Sequence, residues 1–364
     1  MESTLADGIR MDKTPSSRTS GMPGAVPPWR RIALWIGAAA GVIGFALPFL
    51  VSDYDLFNLS RVAAVAMCVA SLNLVLGFTG QVSLGHGAIF GIGGYAALMS
   101  IRDLGFPPVL GILFGAVVSA AVGVIIGIPA VRLGGFNLGL FTIVIAALFP
   151  IVLYRFSDFT GGQAGIVVTG AFASPVESLT NAQWMFLVLF VTLLVVLFVL
   201  RRMVSGRMAR ALAAIRTGRI LAASNGIDVY RVKFQFFVMS AAVAGLAGGL
   251  YGLVLGLVVP ESYPLIFSIT LLVASVIGGS RSWVGAIVGA AVVVYLPTWS
   301  SEVIPGEASA YLAQLVFAII LGLCVLLAPN GLAGAVDSVV RRASGSLRSR
   351  RTSTPAPEHR EETS

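Results

Sequence analysis

The sequence predicts an all-α fold: a polytopic integral membrane helical bundle of about ten transmembrane helices, with both termini on the cytoplasmic side. Three observations carry that prediction. The chain is 57% hydrophobic and only 11% charged, with a mean hydropathy of +0.93, whereas roughly a quarter of a soluble domain is charged. Apolar runs of about 20 residues, the length that crosses a bilayer core as a helix, recur along it. Its basic residues also gather on alternate connections, as the positive-inside rule requires.

Taken in order, residues 1–30 are polar, aperiodic and rich in Ser and Pro, and read as a disordered cytoplasmic tail. The first apolar run begins only after position 31 and is about 20 residues long, so it reads as a retained span and not a cleaved signal. The membrane domain, 31–330, then holds spans at 31–51, 56–78, 82–101, 107–131, 136–156, 183–200, 234–258, 264–279, 283–298 and 310–328. The pair 264–279 and 283–298 is short and separated by "GGSRSW", and reads either as two spans or as one re-entrant hairpin. Residues 331–364 form a basic, largely disordered cytoplasmic tail.

Charge tests this topology. With the amino terminus inside, 21 of the 24 Lys and Arg residues fall on the cytoplasmic side, Arg102 and Arg155 fall outside, and Arg61 lies within the second span. Eight of the sixteen acidic residues lie outside. The net charge of +8 therefore reflects orientation and does not point to nucleic acid. Cys68 and Cys324 both sit inside apolar runs and read as buried small side chains.

Several chemistries are missing. Lys13 and Lys233 are the only lysines and neither closes a phosphate-binding G-x-x-x-x-G-K-[ST] loop. No H-E-x-x-H, paired-carboxylate or Cys/His metal spacing is present, so no catalytic residue, metal or cofactor is expected. Span interiors lack Asp and Glu, the usual proton relays. Arg61 sits about a turn inside the outer face, and its charge is expected to snorkel outward.

The stretch "GFTGQVSLGHGAIFGIGGYAA", residues 77–97, carries seven glycines in an apolar setting. Gly77 and Gly80 flank a tight cytoplasmic turn. Gly87, Gly91 and Gly94 recur at i, i+4 and i+7, leaving one helix face bare for close packing in lipid. Gln81, Ser83 and His86 are expected in the inner leaflet, facing the bundle or a wet path. Two readings of His86 stand: a ring tying two helices by hydrogen bonds, or part of a pathway with Gln81, Ser83, Gly87 and Gly91.

The longest internal polar segment is 201–233. Met208, Leu212 and Ile215 share one helical face, with Arg207, Arg210, Arg216 and Arg219 on others. Gly218 is expected to split the run into two short helices, and Gly226 sits where a left-handed cap belongs. Such an amphipathic helix either lies on anionic headgroups or docks into a groove on another protein.

Four blocks carry a resemblance. "LNLVLGFTGQVSLGHGAIFGIGGYAA", "VRLGGFNLGLFTIVIA" followed by "TGGQAGI", "RMARALAAIRTGRILAASNGIDVYRVKFQFFVMSAAVAGLAGGLYG" and "LLAPNGLAG" occur in that order across residues 70–335. They resemble the permease subunit of bacterial ABC importers of the branched-chain amino acid family, the M-type subunit in particular. The chain departs from the family pattern at "TGR" (217–219), at Asn137 and Gly139, and at Arg281 and Trp283. The resemblance implies a multi-pass protein of the bacterial plasma (inner) membrane that is not an enzyme. It would work with a companion H-type permease, two ABC ATPase subunits and an extracytoplasmic substrate-binding protein. Segment 206–226, with Arg207, Met208, Leu212, Ile215 and Gly226, would couple to the ATPase. The loop at 160–166, with Thr160, Gly161, Gly162 and Gly165, would lie outside, where the binding protein would dock or release its cargo, although a plain turn explains those glycines equally well.

A stand-alone secondary transporter or channel is the competing reading, and the same importer family carrying urea or short amides is another. A membrane enzyme fits poorly, since no nucleophile–base or metal cluster is seen.

Overall fold

The computed structural model describes residue 41, residues 44–133, 136–170 and 172–303, and isolated positions between 312 and 319. The expected spans at 31–51 and 310–328 lie largely outside these residues. The chain divides into a unit up to Leu47 and a larger one from Pro48 onward, and the bundle belongs to the second.

Within it run α1 (Asp53–Asn73), α2 (His86–Leu104), α3 (Pro108–Arg132), α4 (Phe136–Arg155) and α5 (Asn181–Met203). Two short helices follow, α6 (Arg207–Thr217) and α7 (Arg219–Ser224), then α8 (Val229–Leu255), α9 (Leu265–Gly278) and α10 (Trp283–Val303). Six described helical segments are long and apolar enough to cross a membrane: Asp53–Thr79, Pro108–Arg132, Asn137–Arg155, Asn181–Met203, Val229–Leu255 and Pro260–Gly278. The protein is thus an all-α, multi-pass membrane protein. α2 falls short because His86, its glycines and the Arg102–Asp103 pair dilute its apolarity, and its neighbours bury it instead.

Local chemistry sets the boundaries. Ser52 caps α1 by accepting from the Asp55 N–H, and Asp53 and Asp55 meet the positive end of the helix. Thr180 and Gln183 form a reciprocal capping box at the start of α5. Asp228 caps α8 by accepting from the Arg231 N–H at 3.0 Å. At its far end α1 widens into a π-turn, Leu74–Thr79, and the chain reverses at Gly80 with φ 69°. The span expected at 82–101 therefore begins as a helix only at His86, and Gln81 and Ser83 belong to the buried turn before it. The expected pair at 264–279 and 283–298 forms two separate helices joined by the turn Gly279–Ser282, α9 rising roughly 21 Å against a bilayer core of about 30 Å.

α1 is the most deeply buried span, enclosed by α5, α8, α9 and α10. α8 packs on α2 and α3 as well. These three meet along small residues: a Cβ on Gly93 would strike the Gly245 backbone, one on Gly115 the Gly93 carbonyl, and one on Gly248 the Phe90 carbonyl. The face of Gly87, Gly91 and Gly94 is closely packed, at Gly87 and Gly91 chiefly by Ser268, Phe267, Phe149 and Tyr263, and at Gly94 also by the Gly248 carbonyl. Among the glycines of α2 the closest backbone approach is at Gly93, one position from Gly94.

This geometry ranks substitutions. Gly93→Ala forces two backbones apart and is expected to cost about 1–3 kcal/mol, whereas Gly94→Ala meets its nearest atoms only at 3.2–3.3 Å. Thermal unfolding of the detergent-purified protein should show the larger loss at Gly93.

Candidate functional site

Three groups of side chains stand out. The first surrounds the start of α2. His86 is 1% exposed, with Nδ1 2.9 Å from the Ser83 hydroxyl and Nε2 2.7 Å from the Ser240 hydroxyl of α8. Ser240 in turn donates to the Ser71 carbonyl of α1 at 2.6 Å. A hydroxyl has one hydrogen, and Ser240 gives it to Ser71, so His86 Nε2 must be the donor to Ser240. For a ring with a single proton, Nδ1 then accepts from Ser83. The result is a directed chain, Ser83 to His86 to Ser240 to Ser71, that joins the α2 entry turn, α8 and α1. His86 thus ties helices together through Ser83 and Ser240.

Gln81 is also buried, and its Nε2 has no hydrogen-bond partner. The Gly87 N–H donates to Ser268 Oγ at 3.1 Å, and the Leu84 N–H donates to Thr142 Oγ1 at 2.9 Å. The candidate residues Gln81, Ser83, His86, Gly87 and Gly91 thus sit where α2, α4, α8 and α9 converge. Above them is an aromatic cluster in which Tyr95, Phe149 and Tyr263 surround the Gly91 position.

The second group is the polar loop. Gly218, in extended conformation, separates α6 from α7, and Gly226 adopts φ 75° just beyond α7, both as the sequence predicts. The apolar face behaves differently from either expectation. Leu212 and Ile215 are 3% and 5% exposed, Leu212 in the main apolar core and Ile215 against Ala222 and Val229, with Met208 partly buried beside them. That face seats α6 on its own bundle. The apolar surface the loop presents outward belongs to Ile220 and Leu221 of α7, 88% and 52% exposed, with Arg207 and Arg210 exposed on α6.

Sequence reasoning did not single out the contacts that hold α6 in place. Arg216, in its last turn, donates to the Gly77 carbonyl at the end of α1. Arg281, in the α9–α10 turn, donates to the same oxygen at 3.4 Å. Burial lowers the Arg216 guanidinium from its ordinary value, and the neighbouring charge of Arg281 lowers it further.

The third group is the loop at 160–166, at the opposite end of the bundle. Thr160 donates its hydroxyl to the Leu153 carbonyl at 2.7 Å. Gly161, Gly162 and Gly165 all take positive φ, and a Cβ at Gly165 would strike the Val258 carbonyl. That close approach leads into a two-strand ladder, β1 (Ile166–Val167) with β2 (Leu257–Val258), antiparallel with Ile166 opposite Val258. The glycines are thus used to staple the loop to the end of α8.

The family described as "Branched-chain amino acid transport system / permease component" matches residues 56–326, and the chain belongs to it. The chain is 30% identical over 278 residues to the high-affinity branched-chain amino acid transport system permease protein LivM of Salmonella typhimurium, covering 70% of this chain and 65% of that protein. It is 29% identical over 280 residues to the LivM protein of Escherichia coli K12, with 70% and 65% covered. It is also 26% identical over 313 residues to the LivH permease protein of E. coli K12, with 79% of this chain and 96% of that protein covered. The chain therefore spans just under two thirds of the LivM relatives. No solved structure matches it.

Ser240→Ala removes both the acceptor for His86 and the donor to Ser71. It should destabilise the protein by about 1–3 kcal/mol. In its background, His86→Ala should cost clearly less than in the wild type, as a double-mutant cycle of unfolding measurements would show.

Proposed function

We propose that the chain is the M-type permease subunit of an ATP-driven importer in the bacterial plasma membrane, with both termini cytoplasmic, carrying branched-chain or related hydrophobic amino acids. A companion H-type permease would complete the path, two ABC ATPase subunits would drive it, and an extracytoplasmic binding protein would deliver substrate. Family membership supports this, as does similarity to both LivM and LivH proteins. The sequence holds no nucleotide-binding loop of its own, which fits an engine on separate subunits.

Charge supports the orientation. The end of the bundle bearing Gly77, the polar loop and the α9–α10 turn carries Arg201, Arg202, Arg207, Arg210, Arg216, Arg231, Lys233 and Arg281. The opposite end carries Asp53, Asp55, Asp103, Asp158, Glu177 and Glu261. By the positive-inside rule the first end is cytoplasmic. Reporter fusions after residue 215 and after residue 170 should read inside and outside; the reverse pattern would contradict this orientation.

The observation that carries the coupling role is the division of labour in the polar loop. Leu212 and Ile215, with Met208, hold α6 to the bundle, while Ile220 and Leu221 of α7 stand exposed, as do Arg207 and Arg210 of α6. An exposed apolar pair on a loop that also exposes arginines suits a cleft on an ATPase subunit, where truncating a central anchor costs on the order of 2 kcal/mol and a peripheral charge less. Ile220→Ala with Leu221→Ala should therefore weaken co-purification of the ATPase far more than Arg210→Ala does. Leu212→Ala should leave the ATPase bound but loosen its hold on uptake. If the helix served only anionic lipid, basic residues would matter most, at about 1 kcal/mol each, and the ranking would invert. In the pathway role, Gln81 offers the unpartnered donor that a passing carboxylate or carbonyl would meet.

A further inference from the structure

The carbonyl of Gly77 is an unusual meeting point. It lies in the π-turn that ends α1, where the chain leaves the helix and the last carbonyls lack intrahelical donors. Such an end carries the negative pole of the helix and attracts cations. Two arginines from different parts of the chain answer it: Arg216 from the last turn of α6 and Arg281 from the Gly279–Ser282 turn.

The surroundings make this a junction and not a chance contact. A Cβ on Gly77 would collide with the Ser280 carbonyl, so the α9–α10 turn rests directly on bare backbone there. One turn earlier Asn73 donates to the Ser282 carbonyl at 3.3 Å and accepts from the Ser275 hydroxyl of α9. On the other side Phe78 stacks on Trp283 at 5.4 Å and 17°. Whatever shifts the end of α1 therefore shifts the start of α10 and the end of α9, and α6 touches this junction through Arg216.

We propose that Arg216 and Arg281 are positioning residues that carry the displacement of the loop helix to the transmembrane bundle through the Gly77 carbonyl. When α6 is seated, both guanidinium groups share the one oxygen despite their like charge. When the ATPase draws α6 away, Arg216 withdraws, Arg281 holds the carbonyl alone, and the α9–α10 turn resettles on α1. This gives a discrete two-state element biased by the loop, which a coupling mechanism requires. It rests on the reading that the polar loop docks an ATPase through α7.

The test uses the full complex reconstituted in liposomes, measuring leucine uptake and ATP hydrolysis together. Arg216→Gln should assemble and hydrolyse ATP but lose about tenfold in uptake per ATP, the scale of one charge-assisted hydrogen bond. Arg216→Lys, which keeps a charged donor, should restore most of that ratio. Arg281→Gln added to Arg216→Gln should cost less than the two separate losses combined, because both act through one acceptor. An unchanged uptake-to-hydrolysis ratio in Arg216→Gln overturns the proposal. Equal failure of the Gln and Lys variants to assemble also overturns it, by making Arg216 a folding residue. The underlying reading fails separately: if Ile220→Ala with Leu221→Ala leaves ATPase binding intact, docking itself is wrong. Normal docking with normal coupling in Arg216→Gln removes only the role of the Gly77 carbonyl.

Discussion

Helices in a bilayer gain little from leaving lipid for one another, so a bundle of this kind depends on how closely backbones can approach and how fully buried polar groups are paired. In this protein that constraint is met along the seam where α2, α3 and α8 touch through Gly93, Gly115, Gly245 and Gly248. The seam fixes α8 beside α2, and that placement brings Ser240 to His86. Through Ser240 the chain of hydrogen bonds reaches Ser71 in α1, the most buried helix. The polar residues in the interior are thus a consequence of close packing: only helices this near can satisfy one another's hydroxyls.

The two ends of the bundle are finished in different ways. At the end bearing Thr160, three glycines with positive φ and a short ladder tie the 160–166 loop to the end of α8. Among the described residues the other end has no ladder. Side chains make the joints there: Asn73 of α1 donates to the Ser282 carbonyl of the α9–α10 turn, and Arg216 and Arg281 converge on the Gly77 carbonyl. Side-chain contacts of that sort break and re-form with less disruption than a backbone ladder.

Much of this was legible in the residues. Length and apolarity located the spans that form helices within the described residues, and Gly218 and Gly226 marked the break and the cap in the polar loop because glycine signals backbone geometry directly. The helical period of Met208, Leu212 and Ile215 was also real, but period alone says which residues share a face and not what that face meets. Here it meets the chain's own bundle, and the outward apolar residues are Ile220 and Leu221, too few for a pattern. The same limit hid Gly93, whose importance lies in a neighbour 152 positions away at Gly245. Arg281 showed as a departure from the family pattern, yet nothing in the sequence joined it to Arg216, since both bind a backbone oxygen that has no sequence signature.

The central claim is that α6 is seated on the bundle by its own apolar face, leaving α7 to meet a partner. Hydrogen exchange of the backbone amides tests it most directly, on the purified protein with and without the ATPase subunits proposed for it. The account predicts that amides across residues 207–217 are already protected in the permease alone, while those across 219–224 become protected only when the ATPase binds. Rapid exchange throughout 207–217 in the isolated permease, slowed only by the ATPase, would contradict it.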